Sequence, residues 1–331
     1  MFNFASFFAG AVQQGIPLLY GCTGEILTEK SGNLNMGIPG IMYVGSISGV
    51  IGAFFYEKSL DGAAINPFFG IMIPLLSCLL GSLLMGLLYC FLTVSLRANQ
   101  NVTGLALTTF GIGIGNFFGQ SLISLAGDTG GVTSISVKAT SNLFKASLPF
   151  ASKLGWFGTM FLSYGFLTYL AIVIAIVVAL ILNRTRIGLH LRAVGENPAT
   201  ADAVGISVGR YKYVATCAGS MIAGLGGLFY IMDFISGSWS NDAFGDRGWL
   251  AVALVIFVIW RPVWGIAGSL IFGALYNLPL YVQGLQLHQK KLFEIIPYVF
   301  TILVLIIISV RKKRENQPPA SLGQSYFREE R

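Results

Sequence analysis

The residues that could carry chemistry in this 331-residue sequence are few and scattered. The two histidines, His190 and His288, stand alone, and no serine, histidine and carboxylate form the set that a hydrolase uses. The sequence Gly-x-x-x-x-Gly-Lys-Ser/Thr is absent, so the chain lacks this phosphate-binding loop for nucleotides. The four cysteines lack the paired spacing of a metal or redox site. We therefore predict no catalytic residue, no metal site and no cofactor in this chain.

The polar side chains with the most functional potential are amides within apolar stretches. Asn116 and Gln120 are four residues apart, which places them on one face of a helix. Amides in a membrane helix either bond a neighbouring helix or contact a polar solute, and both interpretations remain open here. Four aromatic residues could stack on a planar ligand or, like most of the 25 phenylalanines, face lipid or the core: Phe110, Phe117, Phe118 and Tyr230. We predict Asn116, Gln120, Phe110 and Tyr230 as candidates for a substrate pathway.

A second polar stretch, residues 23–36, contains Asn33 and Asn35 and precedes the second apolar run. The glycines and the proline that follow it break helical continuity. Irregular backbone at membrane depth is tolerated only when it is buried in protein or lines a watery cavity. Two interpretations therefore remain open. The stretch is either a loop at the membrane surface or a polar lining that adds Asn33 and Asn35 to the substrate pathway.

A polar island separates two long apolar stretches in the second half of the chain. Asn197 followed by Pro198 predicts a helix start, because asparagine caps free backbone N–H groups and proline fits the first turn. Ala199 and Ala201 favour a helix, and Gly205 predicts its end after about two turns. A helix this short buries little apolar surface, so we expect another protein to bind it.

Composition defines the class of protein that must hold these residues. The mean hydropathy is +0.72, 54% of the residues are hydrophobic and 11% are charged, whereas charged residues make up about a quarter of a soluble domain. A spanning helix needs about 20 mainly apolar residues, and nine apolar stretches, one of them short, are candidate spans. They cover residues 4–22, 37–56, 71–96, 102–126, 156–182, 211–232, 249–260, 263–283 and 292–310. The sequence thus predicts an all-α, polytopic membrane protein with about 9–10 transmembrane helices in one domain, residues 1–310.

Lysine and arginine in the loops predict the orientation, because the cytoplasmic side keeps the excess. The net charge of +7 is explained in this way, and we expect no nucleic-acid partner. The loop 183–210 lies inside by this rule, and the N-terminus lies outside. The outside loop 233–248 is either a rim for a binding protein or a solvated connection. Residues 311–331 form a charged, proline-containing cytoplasmic tail that we expect to be disordered.

Several stretches along most of the chain carry a family resemblance. They are residues 24–37, 97–108, 192–210, 218–227 and 248–254, followed by Trp260-Arg261-Pro262. Together they resemble the permease subunits of ATP-binding-cassette importers. The resemblance is to the branch that takes up nucleosides and simple sugars, within the branched-chain amino acid and ribose-type permease superfamily.

This resemblance implies a type II importer-like fold in the bacterial plasma (inner) membrane and a set of partners. The partners are a second permease subunit, identical or homologous, a cytoplasmic ATPase that binds ATP and magnesium, and an extracytoplasmic substrate-binding protein or lipoprotein. The short helix would be the coupling helix. Its implied ATPase-contacting residues are Glu196, Asn197, Pro198, Ala199, Ala201 and Gly205.

The form of residues 29–35 is closest to the nucleoside-uptake members, which implies a purine nucleoside as substrate. Riboflavin and simple sugars remain alternatives within the same branch. A stand-alone secondary carrier or channel is the alternative from a different class, and it would transport without an ATPase. A membrane-embedded enzyme would need a clustered catalytic set, which this sequence lacks.

Overall fold

The computed structural model describes residues 3–60, 63–125, 134–147, 155–282, 286, 292–293, 295–311 and 317–328. The first helices are α1 (Phe4–Glu29), α2 (Ile38–Ser59), α3 (Pro67–Cys90) and α4 (Gln100–Leu125). Strand β1 (Ser134–Ser136), α5 (Lys138–Phe144), α6 (Gly155–Phe161) and α7 (Phe166–Arg184) follow. The polar island holds α8 (Arg186–Glu196) and α9 (Pro198–Ala203). The remaining elements are α10 (Val208–Phe229), β2 (Ser238–Ser240), α11 (Arg247–Phe257), α12 (Pro262–Tyr281) and α13 (Ile296–Arg311).

Helices lie at all nine stretches that the sequence predicts as spans. Six of the described helices are long and apolar enough to cross a membrane: α2, α3 with the π-turn that follows it, α4, α7, α10 with its own π-turn, and α12. Helices α11 and α13 are shorter and apolar, and α1 contains 26 residues, which is about 39 Å of helix. The predicted span 156–182 is divided, because a turn at 162–165 separates α6 from α7.

Three helices, α1, α2 and α10, form the centre of the bundle and cross at glycines. Gly24 of α1 and Gly219 of α10 face each other so closely that a Cβ on either would overlap the other's carbonyl oxygen. A Cβ on Gly45 of α2 would overlap the Cα of Gly224 in α10, and Ser82 of α3 packs against both glycines. Small residues let helix backbones approach, which is a main source of helix association in membranes. These crossings fix the frame on which the outer helices and α4 pack.

The two loops at the end of the bundle opposite to α8 and α9 are joined by the sheet. Strands β1 and β2 pair antiparallel, with Ile135 opposite Trp239. Trp239 is fully buried, and its ring packs edge-on against Tyr43 of α2 at a centroid distance of 5.1 Å. The loop 233–248, which we call the outer loop, therefore packs against the first turns of α2 and the second half of α4 and is not a loose solvated connection.

The C-terminal tail differs from the expectation of disorder in its described part. Residues 317–328 lie across the bundle end that carries α8 and α9 and bond the main chain there, for example from Ser321 N–H to the Gly195 carbonyl at 3.0 Å. A segment of low hydropathy can dock in this way because the contacts use backbone groups and polar side chains and do not depend on apolar burial. Residues 312–316 and 329–331 lie outside the described residues.

Candidate functional site

The short helix α9 begins and ends where the sequence predicts. The Asn197 side chain accepts a hydrogen bond from the Thr200 backbone N–H at 3.0 Å, and Pro198 occupies the first turn. Gly205 has a φ of +85°, a left-handed conformation that glycine adopts without a steric penalty. Together α8, α9 and the turn to Gly205 form what we call the α8–α9 segment, residues 186–205.

The six residues predicted to contact an ATPase do not share one exposed surface. Glu196, Asn197 and Gly205 are exposed, and Pro198 and Ala199 are half-buried. Ala201 is instead buried and packs with Val194 and Val208 in a small apolar cluster. Its methyl group thus holds α9 onto α8 and α10. The exposed tip is Val204, which is 72% exposed and was not predicted as a contact residue.

The α8–α9 segment is seated tightly on the bundle. A Cβ on Gly195 would overlap the carbonyl oxygen of Lys30, which lies at the end of α1. Burial lowers the pKa of Lys30, and the negative charge of Glu196 partly opposes that shift. A displacement of Glu196 and Gly195 would therefore press directly on the end of α1.

The irregular stretch between α1 and α2, residues 30–37, is enclosed by protein. Its backbone is bonded by side chains from other helices: Leu34 N–H donates to the Gln100 side-chain oxygen at 2.7 Å, and Thr108 donates to the Met36 carbonyl at 2.9 Å. The Tyr89 hydroxyl donates to the Leu34 carbonyl. Buried irregular backbone of this kind is the situation that membrane proteins tolerate. Neither a surface loop nor an open polar lining describes it in this conformation.

Asn33 and Asn35 are both fully buried in this turn. The Asn33 amide donates to the Thr216 hydroxyl at 3.1 Å, and the Asn35 side-chain oxygen accepts from Gly37 N–H at 2.9 Å. One polar atom of each remains without a partner among the described residues, Asn33 Oδ1 and Asn35 Nδ2. The two residues therefore bind the turn to its neighbours and are incompletely bonded in this conformation.

The outward face of α4 carries polar residues along most of its length. At about 100° per residue, four of them and one glycine fall within an arc of about 80° on the helix. We call this set the α4 stripe, and its members are Thr109, Gly113, Asn116, Gln120 and Ser124. All five are exposed or half-buried, and a Cβ built on Gly113 would meet no atom within 4 Å. The α4 stripe thus presents hydroxyl and amide groups at membrane depth.

Asn116 connects the α4 stripe to the outer loop. The Tyr43 hydroxyl donates to Asn116 Oδ1 and accepts from the Asp242 backbone N–H at 2.9 Å. The Asn116 amide donates to the Asp242 carboxylate at 3.2 Å. Asp242 itself is exposed and has a φ of +57°, which aspartate tolerates better than most residues. Tyr43 was not predicted as a site residue, because in the sequence it is one of many aromatic residues in apolar runs.

The other predicted pathway residues occupy different places. Phe110 is 51% exposed and lines a shallow apolar groove between α3 and α4. Tyr230 is buried under the outer loop, where its hydroxyl donates to the Ala243 carbonyl at 2.9 Å and the Arg247 guanidinium lies 4.3 Å from the ring centre. The structure therefore brings Asn116 and Gln120 together on α4 and places Tyr230 in the core. No potential metal-binding group of three or more His, Cys, Asp or Glu residues occurs within the described parts of the chain.

The helical bundle and its polar stripe at membrane depth define a polytopic membrane transport protein. Residues 7–308 match the family described as branched-chain amino acid transport system / permease component, and the chain belongs to that family. This confirms the family resemblance of the sequence and the predicted all-α, polytopic fold class. The chain is thus a multi-pass permease of the bacterial plasma membrane.

Three relatives align over most of the chain. The nucleoside ABC transporter permease protein NupC of Lactococcus lactis is 32% identical over 298 residues, which cover 88% of each chain. The guanosine ABC transporter permease protein NupQ of Bacillus subtilis is 28% identical over 87% of each chain. The putative glucose ABC transporter permease protein TsgC13 of Haloferax volcanii is 31% identical over 98% of this chain and 99% of its own length.

Proposed function

We propose that this permease forms half of the translocation path of an ATP-driven importer for purine nucleosides. A second permease, identical or homologous, would supply the other half. A cytoplasmic ATPase would dock on the α8–α9 segment, and an extracytoplasmic binding protein would deliver the substrate. The names of two relatives, a nucleoside permease and a guanosine permease, support the substrate class.

The observation that carries the proposed path is the α4 stripe. None of the described residues bonds the Gln120 side-chain amide, and an unpaired amide facing hydrocarbon is costly. Helix α3 shows the contrast, because its exposed side chains at helical spacing are apolar: Leu76, Leu80, Leu84, Leu87 and Phe91. Helix α3 therefore suits lipid, whereas the α4 stripe suits water, a second permease, or a polar substrate between the two.

The chemistry of this face suits a nucleoside. Amide and hydroxyl groups at Asn116, Gln120 and Thr109 can exchange hydrogen bonds with ribose hydroxyls and with base edges. Phe117 is 67% exposed and borders the α4 stripe, where its ring offers a flat apolar surface to a purine. Contacts spaced along one helix allow a substrate to move stepwise, since no single position binds it completely.

The motion that drives transport would reach α4 through its first residues, at the end of the helix that lies near the α8–α9 segment. ATP and magnesium would bind to the partner ATPase, whose closure would move the exposed tip of the α8–α9 segment around Val204. Gly195 would pass that motion to Lys30 and the 30–37 turn, which contacts α4 through Gln100 and Thr108. The incompletely bonded Asn33 and Asn35 lie at this point, so a second arrangement of the turn could satisfy groups that are unpaired here. This is a two-state gating element.

Simple sugars are the second candidate substrate class, since a relative with a putative glucose role covers nearly the whole chain. The same hydroxyl and amide groups serve a hexose, whose C–H face can also pack on the exposed ring of Phe117, so the uptake assay must separate the two classes. Riboflavin, which has a ribityl chain and a flat ring, is tested in the same assay. Cells that express the importer should take up labelled guanosine, with competition by adenosine and with little competition by glucose or riboflavin.

The ATPase partner is tested by co-purification. We expect a tag on this chain to retain a co-expressed ATPase, and Val204→Asp to weaken that retention because it places a charge at the exposed tip. Asn101→Asp adds the same charge at an exposed position of α4 near the same membrane face, and it should leave retention unchanged. Guanosine uptake that continues in cells lacking the ATPase would favour a stand-alone carrier and overturn the proposal.

A further inference from the structure

Residues 317–328, which we call the C-terminal strap, cross the cytoplasmic end of the bundle. The strap has neither helix nor strand, yet its contacts are specific. It touches two regions that are otherwise distant in the sequence, the α8–α9 segment on one side and the ends of α1 and α4 on the other. The family match ends at residue 308, so the strap lies outside it.

On the first side, the strap holds the α8–α9 segment at both of its helices. Ser321 N–H donates to the Gly195 carbonyl at 3.0 Å, at the end of α8. The Tyr326 hydroxyl donates to the Asp202 carboxylate in α9 at 2.9 Å, and the Arg328 guanidinium lies 3.2 Å from the same carboxylate. The Asp202 side chain is mostly covered, whereas Arg328 is 75% exposed, so the hydrogen bond from Tyr326 is the firmer of the two contacts.

On the second side, the strap is anchored to α4 and to the 30–37 turn. Gly323 N–H donates to the Gly32 carbonyl at 3.2 Å, and the Gln100 amide donates to the Gln324 carbonyl at 3.2 Å. Gln100 also accepts from Leu34 N–H, so one side chain at the start of α4 connects the strap and the turn.

A further anchor lies just before α4. The Ser325 hydroxyl donates to the Arg97 carbonyl at 3.3 Å, and the Arg97 guanidinium lies 4.7 Å from the centre of the Phe327 ring. Arg97 has a φ of +58°, an uncommon conformation for a side chain of this size, which its neighbours must maintain. The strap thus contacts the residue with positive φ in the connection that leads into α4.

We propose that the C-terminal strap is a positioning element that carries motion from the α8–α9 segment to α4 and its stripe. This inference rests on the proposed function, because it assumes that the α8–α9 segment receives the motion of an ATPase. The strap bonds the two moving parts at several points each, so displacement of α9 pulls on the start of α4. The helix then transmits that displacement along its axis to Gln120, about 30 Å away.

The position of the strap argues against a role in blocking the ATPase. It contacts Gly195, Glu196 and Asp202, whereas Asn197, Val204 and Gly205 at the tip remain exposed. A partner can therefore dock on the tip while the strap stays in place. The strap is expected to move together with the α8–α9 segment through the transport cycle, without detaching from it.

The first test measures coupling, which is the amount of guanosine imported per ATP hydrolysed. A segment that only stabilised the fold would not change this ratio. The complete importer is reconstituted in proteoliposomes with its ATPase and binding protein, and guanosine imported per ATP hydrolysed is determined. For a chain that ends at Asn316, and for the milder double variant Tyr326→Phe with Arg328→Gln, we expect ATPase association and ATP hydrolysis to persist. Guanosine imported per ATP should fall at least tenfold for the truncated chain and about threefold for the double variant.

The proposal would be overturned if guanosine import and ATP hydrolysis fell in parallel in these variants. It would also be overturned if guanosine imported per ATP did not fall. If the wild-type importer itself shows no ATP-driven guanosine import, the proposed function fails and not the strap alone.

Because truncation could also impair folding, a second experiment fixes the strap in place. Asp202→Cys and Tyr326→Cys are joined by a short bismaleimide in a chain whose native cysteines are replaced by serine.

The crosslink is expected to form and to replace the lost contact between Asp202 and Tyr326, so guanosine imported per ATP should rise above that of the uncrosslinked double-cysteine chain, to within about twofold of the cysteine-free parent chain. Failure to form would show that the strap is not docked, and that outcome would overturn the proposal. A crosslinked importer that stops transporting would also contradict it, since the strap would then have to detach during the cycle.

Discussion

Gly119 of α4 lies against the indole of Trp239, so closely that a Cβ on the glycine would overlap Nε1. This contact joins the outer loop to the helix that carries the α4 stripe, and Trp239 is fully buried in it. The stripe and the contact lie on different faces of α4. Glycines let one face of α4 pack closely against the rest of the protein. The face that carries the α4 stripe therefore points outward.

Replacing Gly119 by alanine should weaken this junction. We expect Gly119→Ala to lower the free energy of unfolding by about 1–3 kcal/mol, as overpacking does elsewhere. Gly113→Ala on the same helix is the control, because its Cβ would meet no atom within 4 Å. It should be neutral or stabilise by up to about 1 kcal/mol through helix propensity. Thermal unfolding in detergent measures both, and equal effects at the two positions would contradict the packing described.

The α4 stripe should be reachable from water. A cysteine in place of Gln120 should react with a charged, water-soluble thiol reagent in proteoliposomes, and guanosine should slow that reaction. Leu84→Cys on α3 is the control, since Leu84 is 66% exposed on the apolar face that we assign to lipid. Cys217 is half-buried, and it is replaced by serine in both variants to remove background. A Gln120→Cys chain that reacts no faster than the control would place this face in lipid.

The start of α9 should be important for coupling. Asn197→Ala removes the side-chain acceptor for Thr200 N–H, which costs about 1 kcal/mol of helix stability. We expect guanosine uptake to fall about threefold to tenfold, and Asn197→Asp to restore it because aspartate caps equally well. Thr200→Ala keeps the backbone donor and is the control, with uptake unchanged. An Asn197→Ala chain that transports normally would show that the cap does not limit coupling.

Lys30 should make stability depend on pH. Burial lowers its pKa in the folded state below the usual value of 10.5, because the charged form is penalised in the fold. As the pH rises through the lowered pKa, the folded state releases its proton first. The free energy of unfolding then rises until the pH reaches 10.5.

Lys30→Met removes the penalised charge and should raise the unfolding temperature near pH 7. This advantage over the wild type should shrink as the pH rises toward 10.5. The exposed Lys138 provides the control, since Lys138→Met removes a lysine charge that the fold does not bury. An advantage of Lys30→Met that grows with pH would have the wrong sign for a buried lysine.

Local signals predicted the helices and their ends. Asparagine before proline predicted the start of α9 at Pro198, because capping depends on residues that are adjacent in the chain. Apolar runs predicted the positions of the membrane helices for the same reason. The division between α6 and α7 was missed, since the turn at residues 162–165 interrupts an otherwise apolar stretch.

Contacts between distant residues were not predictable in this way. The role of Asn33 depends on Thr216, which is 183 positions further along the chain. The six-residue helix α9 is too short to show a periodic apolar face, so the inward position of Ala201 was not evident. The docking of residues 317–328 uses backbone groups such as the Gly195 carbonyl, which every sequence offers. Only the fold determines which of them lie within reach.

We propose that this chain imports nucleosides only when an ATPase docked on the α8–α9 segment hydrolyses ATP. The most direct measurement is release of labelled guanosine from proteoliposomes that hold this chain, its partner permease and an outward-facing ATPase, with labelled guanosine and binding protein inside and ATP outside or withheld. We predict export of lumenal guanosine to the ATP-containing side only when ATP and the ATPase are both present, and loss of that flux with Val204→Asp. Guanosine flux of equal size without ATP or without the ATPase would contradict the account.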